Sequence, residues 1–143
     1  MSTVQVTAEA LGLELLGVTA PEQRQAIDAL LRGLPTEGWK HVTDALGVSD
    51  QQLAEVVGLS ISTLTRRRRE GSFTPEESER LLRVAGLAAK AESVFTSPER
   101  VRAWFATPNH QLTGHTPLSY SRTSIGAAEV HRVLERILDG APA

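Results

Sequence analysis

Cysteine is absent from this chain of 143 residues, and aromatic residues make up only 4% of it. Without cysteine the chain can form neither a disulfide nor a thiolate-bound metal site. Because aromatic side chains are so few, a core must be built mostly from leucine, valine, isoleucine and alanine, and the hydrophobic content of 41% is sufficient for one. The length suits one ordinary domain or two very small ones.

The chain also lacks a strong excess of either charge, since its formal net charge is −2. A site for nucleic acid would therefore have to be a local basic patch and not the whole surface. No apolar run is long enough to cross a membrane, and the N-terminus has no basic segment of the kind that opens a signal peptide. We expect no membrane segment and a cytoplasmic protein.

The stretch 51–71 predicts two short helices joined by a tight turn, the second ending in four consecutive arginines. Leucine and valine at helical spacing give the first helix an apolar face. Gly58 permits the positive φ that a sharp turn needs, and Ser60 can cap the second helix. This order of features is typical of a helix-turn-helix unit, whose second helix enters the major groove of DNA.

In the second helix we expect Ile61 and Leu64 to face inward. Short polar side chains would let the helix approach base edges, and arginines would reach guanine or phosphate. The predicted DNA-binding residues are Ser60, Ser62, Thr63, Arg66, Arg67 and Arg69. Arg68 follows Leu64 by four positions and is expected to turn towards the protein. The alternative is an ordinary pair of helices with a solvated basic end.

The rest of the chain predicts further helices and no strand, because apolar residues recur at helical spacing and no segment alternates with period two. The fold class is therefore all-α. Strong helix starts appear at Ser49 with Gln52 and at Thr74-Pro75 with Glu77, both of the capping-box type. The predicted organisation is an N-terminal tail over residues 1–18, a helix-turn-helix domain over 19–91 and a second helical domain over 92–143.

A second pattern lies in the last third of the chain, where aromatics and turn residues occur in a fixed order. Its members are Phe95, Ala103-Trp104, Pro108-Asn109, Gly114, Thr116-Pro117-Leu118 and Gly126. With the helix-turn-helix unit before it, this pattern resembles the antitoxins of the MbcA/ParS/Xre group. The chain departs from the group at Thr113, where a second glycine is common, and in the polar run 119–122.

This resemblance implies a type II antitoxin that binds and inhibits a RES-domain toxin, an enzyme that consumes NAD. It also implies a homodimer that binds operator DNA and represses its own operon. The antitoxin itself would have no catalytic residues, no cofactor and no metal. The predicted toxin-binding residues are Trp104, Asn109, Leu118, Val130, Leu134, Ile137 and Leu138. In this group the C-terminal end can reach the toxin's active site, so the segment 137–143 is either such a plug or a frayed terminus.

Two other functions fit the same residues. One is a stand-alone helix-turn-helix regulator whose C-terminal unit dimerises or senses a ligand, and the other is an interaction module that has lost DNA binding. His110 and His115 share a loop, but neither cysteine nor a converging pair of carboxylates accompanies them, so we expect turn histidines and not metal ligands. Ser119 and Ser121 lack a base at any recognisable spacing, which argues against nucleophilic catalysis.

Overall fold

A computed structural model describes residues 8–20 and 22–143, and all regular elements in those ranges are helices, which confirms the all-α prediction. The α-helices are α1 Ala8–Leu15, α2 Gln23–Arg32, α3 Gly38–Leu46, α4 Asp50–Val57, α5 Ile61–Glu70, α6 Pro75–Phe95, α7 Pro98–Ala106, α8 Pro117–Tyr120 and α9 Ser124–Leu138, with a short 3₁₀ helix at His110–Leu112. None of these helices is long and apolar enough to cross a membrane.

The predicted N-terminal tail is wrong from Ala8 onward, because α1 packs against α6. Leu13 and Leu16 are buried in the core. The two helices approach closely where glycine faces glycine, since a Cβ added to Gly12 would lie 2.7 Å from the amide nitrogen of Gly86. The apolar partners of the leucines lie on a distant helix, so the local sequence does not reveal them. Residues 1–7 of the predicted tail lie outside the described residues.

The two capping boxes that the sequence predicts, at Ser49 and at Thr74, are confirmed. Ser49 accepts a hydrogen bond from the amide of Gln52 (3.1 Å), and the Gln52 side chain accepts one from the amide of Ser49 (2.9 Å). Thr74 and Glu77 form the same reciprocal pair at the start of α6. These bonds satisfy amides that a helix start leaves without partners.

Helix α6 is the central element of the fold and runs for 21 residues. It contacts α1, α2, α3, α4, α7 and α9. One continuous apolar core therefore extends from Leu13 to Leu134. The predicted domain boundary at residue 91 falls inside α6, so the helix-turn-helix unit and the C-terminal unit share this helix.

The start of α9 is fixed by a threonine cap and by a closely packed glycine. Thr123 caps α9 by accepting from the amide of Gly126 (2.9 Å). Glycine is required at this position because a Cβ would collide with the carbonyl oxygen of Tyr120.

Thr113 adopts the left-handed φ of 55°. That conformation is costly for a β-branched residue, whereas glycine would adopt it without strain.

Candidate functional site

The turn between α4 and α5 has the geometry of a helix-turn-helix unit. Gly58 ends α4 at φ 79°, and its amide donates to the carbonyl of Ala54 (2.8 Å). Ser60 then caps α5 by accepting from the amide of Thr63 (3.1 Å). The carbonyl of Val57 at the end of α4 accepts a hydrogen bond from Nε of Arg80 on α6 (2.7 Å). These bonds fix the angle at which α5 leaves the turn.

Arg66 and Arg69 are exposed arginines of α5. They lie three positions apart, so both point to the same side of the helix. Ser62 is also exposed on this side. Neither arginine has an ion-pair partner among the residues that the structure describes. Both guanidinium groups therefore remain available to phosphate or to a guanine edge.

Arg67 was predicted to face outward, and this is wrong. Its guanidinium forms two parallel hydrogen bonds to Glu77, from Nε at 2.7 Å and from Nη2 at 3.0 Å, and a third to Glu70 at 3.0 Å. Its side chain is only 15% exposed and that of Glu77 only 8%. Glu77 comes ten residues later and across a turn, so helical spacing within α5 could not reveal it.

The carboxylate of Glu77 is held charged by this arrangement. Burial raises the pKa of Glu77, but hydrogen bonds from Arg67 and from the backbone of Thr74 lower it by a larger amount. The pKa of Glu77 therefore lies below the ordinary glutamate value. The hydrogen bond to Glu77 is also the main reason that the pKa of Arg67 is raised. Two opposite charges thus fix α5 to the first turn of α6.

Arg68 turns towards the protein, as predicted. It donates to Asp50 at the start of α4 (3.1 Å), and the same carboxylate accepts a hydrogen bond from Nε1 of Trp39 (3.0 Å). The hydrogen bond from Arg68 is the largest cause of the lowered pKa of Asp50. Two of the four arginines are therefore directed at protein carboxylates and two at solvent.

The start of α5 differs from the prediction at one position. Ile61, expected to face inward, is 45% exposed, and Leu64 is the buried residue of this helix. The hydroxyls of Ser60 and Thr63 lie 2.9 Å apart in the cap, so both are engaged locally. Thr65 is exposed on the helix and was not predicted, although its hydroxyl donates to the carbonyl of Ile61.

In the C-terminal unit, several predicted toxin-binding residues are part of the protein's own core. Val130 and Leu134 are 0% exposed on the face of α9 that packs against α6. They are core residues in this folded state, where a partner protein cannot touch them, and toxin contact at these positions stays a prediction. Apolar residues at helical spacing fit a core and a docking face equally well, which is why the sequence did not separate the two.

Trp104 and Asn109 are also buried, each at 9% exposure. The Trp104 ring packs against Phe95, with ring centres 5.6 Å apart. The Asn109 side chain accepts from the amide of Gln111 (2.9 Å) and so caps the 3₁₀ helix. Both residues support the shape of the C-terminal unit and are not exposed contacts.

The remaining predicted residues lie nearer the surface. Leu118 and Ile137 are half-buried against the core, and Leu138 is 51% exposed. Sequence reasoning missed Ile125, which is 79% exposed at the start of α9. A signal existed, because Ile125 lies off the apolar stripe that Val130 and Leu134 define on the helix. The exposed apolar side chains of α9 are thus at its two ends.

A cleft of about 820 Å³ runs beside α9, with Leu82, Gly86 and Leu87 of α6 among its lining residues. Lys90 and Glu135 join α6 to α9 across it at 2.7 Å. Within the part of the chain that the structure describes, no three His, Cys, Asp or Glu side chains are grouped as metal ligands. His110 and His115 are exposed in their loop.

Fold and surface together define an all-helical protein that joins a helix-turn-helix unit to a second helical unit. Comparison with protein families agrees with this division. Residues 25–86 match the antitoxin Xre-like helix-turn-helix domain, and residues 90–140 match the antitoxin Xre/MbcA/ParS C-terminal toxin-binding domain. The chain belongs to the Xre/MbcA/ParS antitoxin family. It therefore combines a DNA-binding type of domain with a toxin-binding one.

Individual relatives carry antitoxin names. The chain is 33% identical over 76 residues to the antitoxin Xre of Pseudomonas putida, a match of 53% of this chain to 48% of that protein, so it spans about half of that relative's length. It is 28% identical over 127 residues to the antitoxin Xre of Yersinia enterocolitica, covering 87% and 86% of the two chains. It is 26% identical over 125 residues to the Prs ADP-ribosylating antitoxin of a Sphingobium species, covering 80% and 79%.

Proposed function

We propose that this protein neutralises a RES-domain toxin that consumes NAD, and that as a homodimer in the cytoplasm it represses its own operon. The observation that carries the proposal is the presence in one chain of both family domains, with an exposed arginine pair on α5. The name of the Sphingobium relative links that protein to ADP-ribosylation, a reaction of the NAD-consuming kind, which supports the toxin class. The protein itself would act by binding and not by catalysis.

For the toxin we propose two contacts, one at each end of α9, made by the exposed apolar side chains of Ile125 and Leu138. Ile125 is 79% exposed and Leu138 is 51% exposed. Large apolar side chains that are accessible in the free chain gain most from burial under a partner. The segment 139–143 follows Leu138 directly and is exposed except for Ala141, so it remains a candidate plug for the toxin's active site.

For the operator we propose that α5 enters the major groove with Ser62, Arg66 and Arg69 facing the DNA. Each arginine that neutralises a phosphate releases a counterion and makes binding more sensitive to salt. A helix-turn-helix protein reads paired half-sites as a dimer, which is the reason for proposing a homodimer.

A pull-down from native lysate tests the toxin proposal, with any co-purifying protein assayed for NAD consumption after release. The variants are Ile125→Asp and, as a matched control, Ile61→Asp, because Ile61 is an exposed apolar residue on the other unit. Point variants are used because α9 packs on α6, and a truncation after Ala91 would uncover the core. We expect an NAD-consuming partner with the intact chain and with Ile61→Asp, and none with Ile125→Asp.

Two results would contradict parts of this proposal. An intact chain that binds DNA upstream of its own gene but captures no NAD-consuming protein would point to a stand-alone regulator. Capture that Ile125→Asp leaves unchanged would remove the proposed contact at Ile125. Deleting residues 139–143 tests the plug separately: capture without inhibition is expected if the segment blocks the toxin's active site.

A further inference from the structure

We infer that Arg67 and Glu77 are positioning residues for DNA recognition, whose ion pair fixes the rotation of α5 while neither side chain touches DNA. This inference rests on the proposed DNA-binding function. The run of four arginines would then be divided, with Arg66 and Arg69 as the DNA contacts. Arg67 and Arg68 would hold the helix that presents them.

The first reason is that apolar packing alone does not fix α5. Leu64 is the buried residue of this helix, and Ile61, one turn before it, is 45% exposed. A helix with a single buried apolar side chain is held only weakly by packing against rotation about its own axis. Other contacts must therefore decide which side of α5 faces outward.

The second reason is the geometry of the Arg67–Glu77 contact. Two parallel hydrogen bonds of 2.7 Å and 3.0 Å fix the plane of the guanidinium as well as its distance from the carboxylate. Glu77 is itself held, because it accepts from the amide of Thr74 at 2.9 Å in the cap of α6. The contact therefore ties α5 to the central helix of the fold.

The third reason is the angular position of Arg67 around the axis of α5. Successive residues of a helix are about 100° apart, so Arg67 lies between the outward side and the protein when Arg66 faces out. Arg68 holds the neighbouring side through Asp50 at 3.1 Å, although that pair is nearly half exposed. The less exposed contact of the two is Arg67–Glu77, and exposed ion pairs contribute little. We therefore assign the positioning role mainly to Arg67 and Glu77.

A positioning role for Glu77 and a purely electrostatic effect of its charge predict opposite changes in DNA affinity for Glu77→Gln. Removing a negative charge near the DNA should tighten binding if only electrostatic attraction matters. Releasing Arg67 should weaken binding if the ion pair sets the direction of Arg66 and Arg69. Glu76 provides the matched control, because it lies one residue earlier in the first turn of α6 and is exposed. Glu76→Gln removes the same charge without touching the Arg67 contact.

The experiment measures binding of the full chain to the duplex upstream of its own gene over a range of salt concentrations. We expect Arg66→Ala to lower the slope of log affinity against log salt by about one. We expect Arg67→Ala and Glu77→Gln to weaken binding about tenfold with an unchanged slope. Glu76→Gln should bind as the unaltered chain does, or slightly more tightly. Arg67→Lys keeps the charge but not the two-pronged contact, so it should behave like Arg67→Ala.

Two controls and three outcomes decide the inference. Urea denaturation confirms that each variant folds, and toxin capture should be unchanged, so a general loss of structure is distinguished from rotation of α5. The inference is overturned if Arg67→Ala lowers the salt slope as Arg66→Ala does, if Arg67→Lys restores binding, or if Glu77→Gln tightens it. If the unaltered chain does not bind the duplex at all, the proposed DNA-binding function fails, and the positioning role fails with it.

Discussion

Helices α5 and α9 each carry residues that the sequence predicts to form a binding surface, but the two sets differ in how far their side chains are exposed. On α5, most of the assigned side chains are exposed, and the two exceptions are Thr63 in the helix cap and Arg67 in an ion pair. On α9, Val130 and Leu134 are fully buried, whereas the unassigned Ile125 is largely exposed. The comparison shows that the exposure of polar side chains is easier to predict from sequence than that of apolar ones.

The physical reason lies in the cost of burial. A charged side chain stays at the surface unless a partner compensates it, so an arginine is exposed by default and only its ion pairs need to be discovered. An apolar side chain gains from burial in the core and from burial under a partner alike. A stripe such as that of α9 therefore predicts an interface of some kind without saying whether it lies within the chain or between chains.

The largest expected effect on stability tests whether Leu134 belongs to the core. Leu134→Ala should lower the free energy of unfolding by about 2–5 kcal/mol, because it leaves a cavity between α9 and α6. Urea denaturation of the free chain measures this. Leu138→Ala is the matched control four residues later, where 51% exposure should limit the change to about 0.5 kcal/mol. A Leu134→Ala variant that kept its stability and lost only toxin capture would return Leu134 to the binding surface.

How far the sequence predicts this molecule depends on how local the determining contact is. The capping boxes at Ser49 and Thr74 follow from neighbours three residues apart, and they were found. The position of Arg68 followed from its spacing to Leu64. The Arg67–Glu77 pair and the packing of α1 on α6 were missed, because each joins separate helices and depends on tertiary structure.

A smaller effect on stability is expected from the two contacts of Asp50, one with Trp39 and one with Arg68. Asp50→Ala removes the acceptor of the Trp39 Nε1 proton, and Trp39 is 0% exposed, so the free energy of unfolding should fall by about 1–3 kcal/mol. Arg68→Ala removes only an ion pair that is half exposed and should cost about 0–1 kcal/mol. Chemical denaturation of both variants measures the difference. Equal losses would mean that the tryptophan hydrogen bond contributes nothing beyond the ion pair between Asp50 and Arg68.

Acid should weaken the attachment of α5 gradually. Because the pKa of Glu77 is lowered in the folded chain, the unfolded chain takes up the proton at a higher pH. The stabilisation is therefore complete above the ordinary glutamate pKa of about 4.3 and is lost as the pH falls through the lower folded value. Unfolding measured between neutral and acid pH should show a shallower acid decline for Glu77→Gln than for Glu76→Gln. Identical declines would show that the charge on Glu77 does not stabilise the fold.

The smallest expected effect on stability is that of changing Ile125. This change is also the sharpest test of whether exposure distinguishes the binding residues of α9 from its core residues. At 79% exposure the side chain makes few contacts to lose, so Ile125→Ala should leave the free energy of unfolding within about 0.5 kcal/mol. If α9 meets the toxin here, the same change should weaken toxin capture by about tenfold or more, since a truncated apolar anchor commonly costs over 1 kcal/mol in binding. Ile61→Ala, at 45% exposure on α5, should change neither stability nor capture. Loss of stability without loss of capture in Ile125→Ala would reverse the assignment, because α9 would then use Ile125 for its own packing and bind its partner elsewhere.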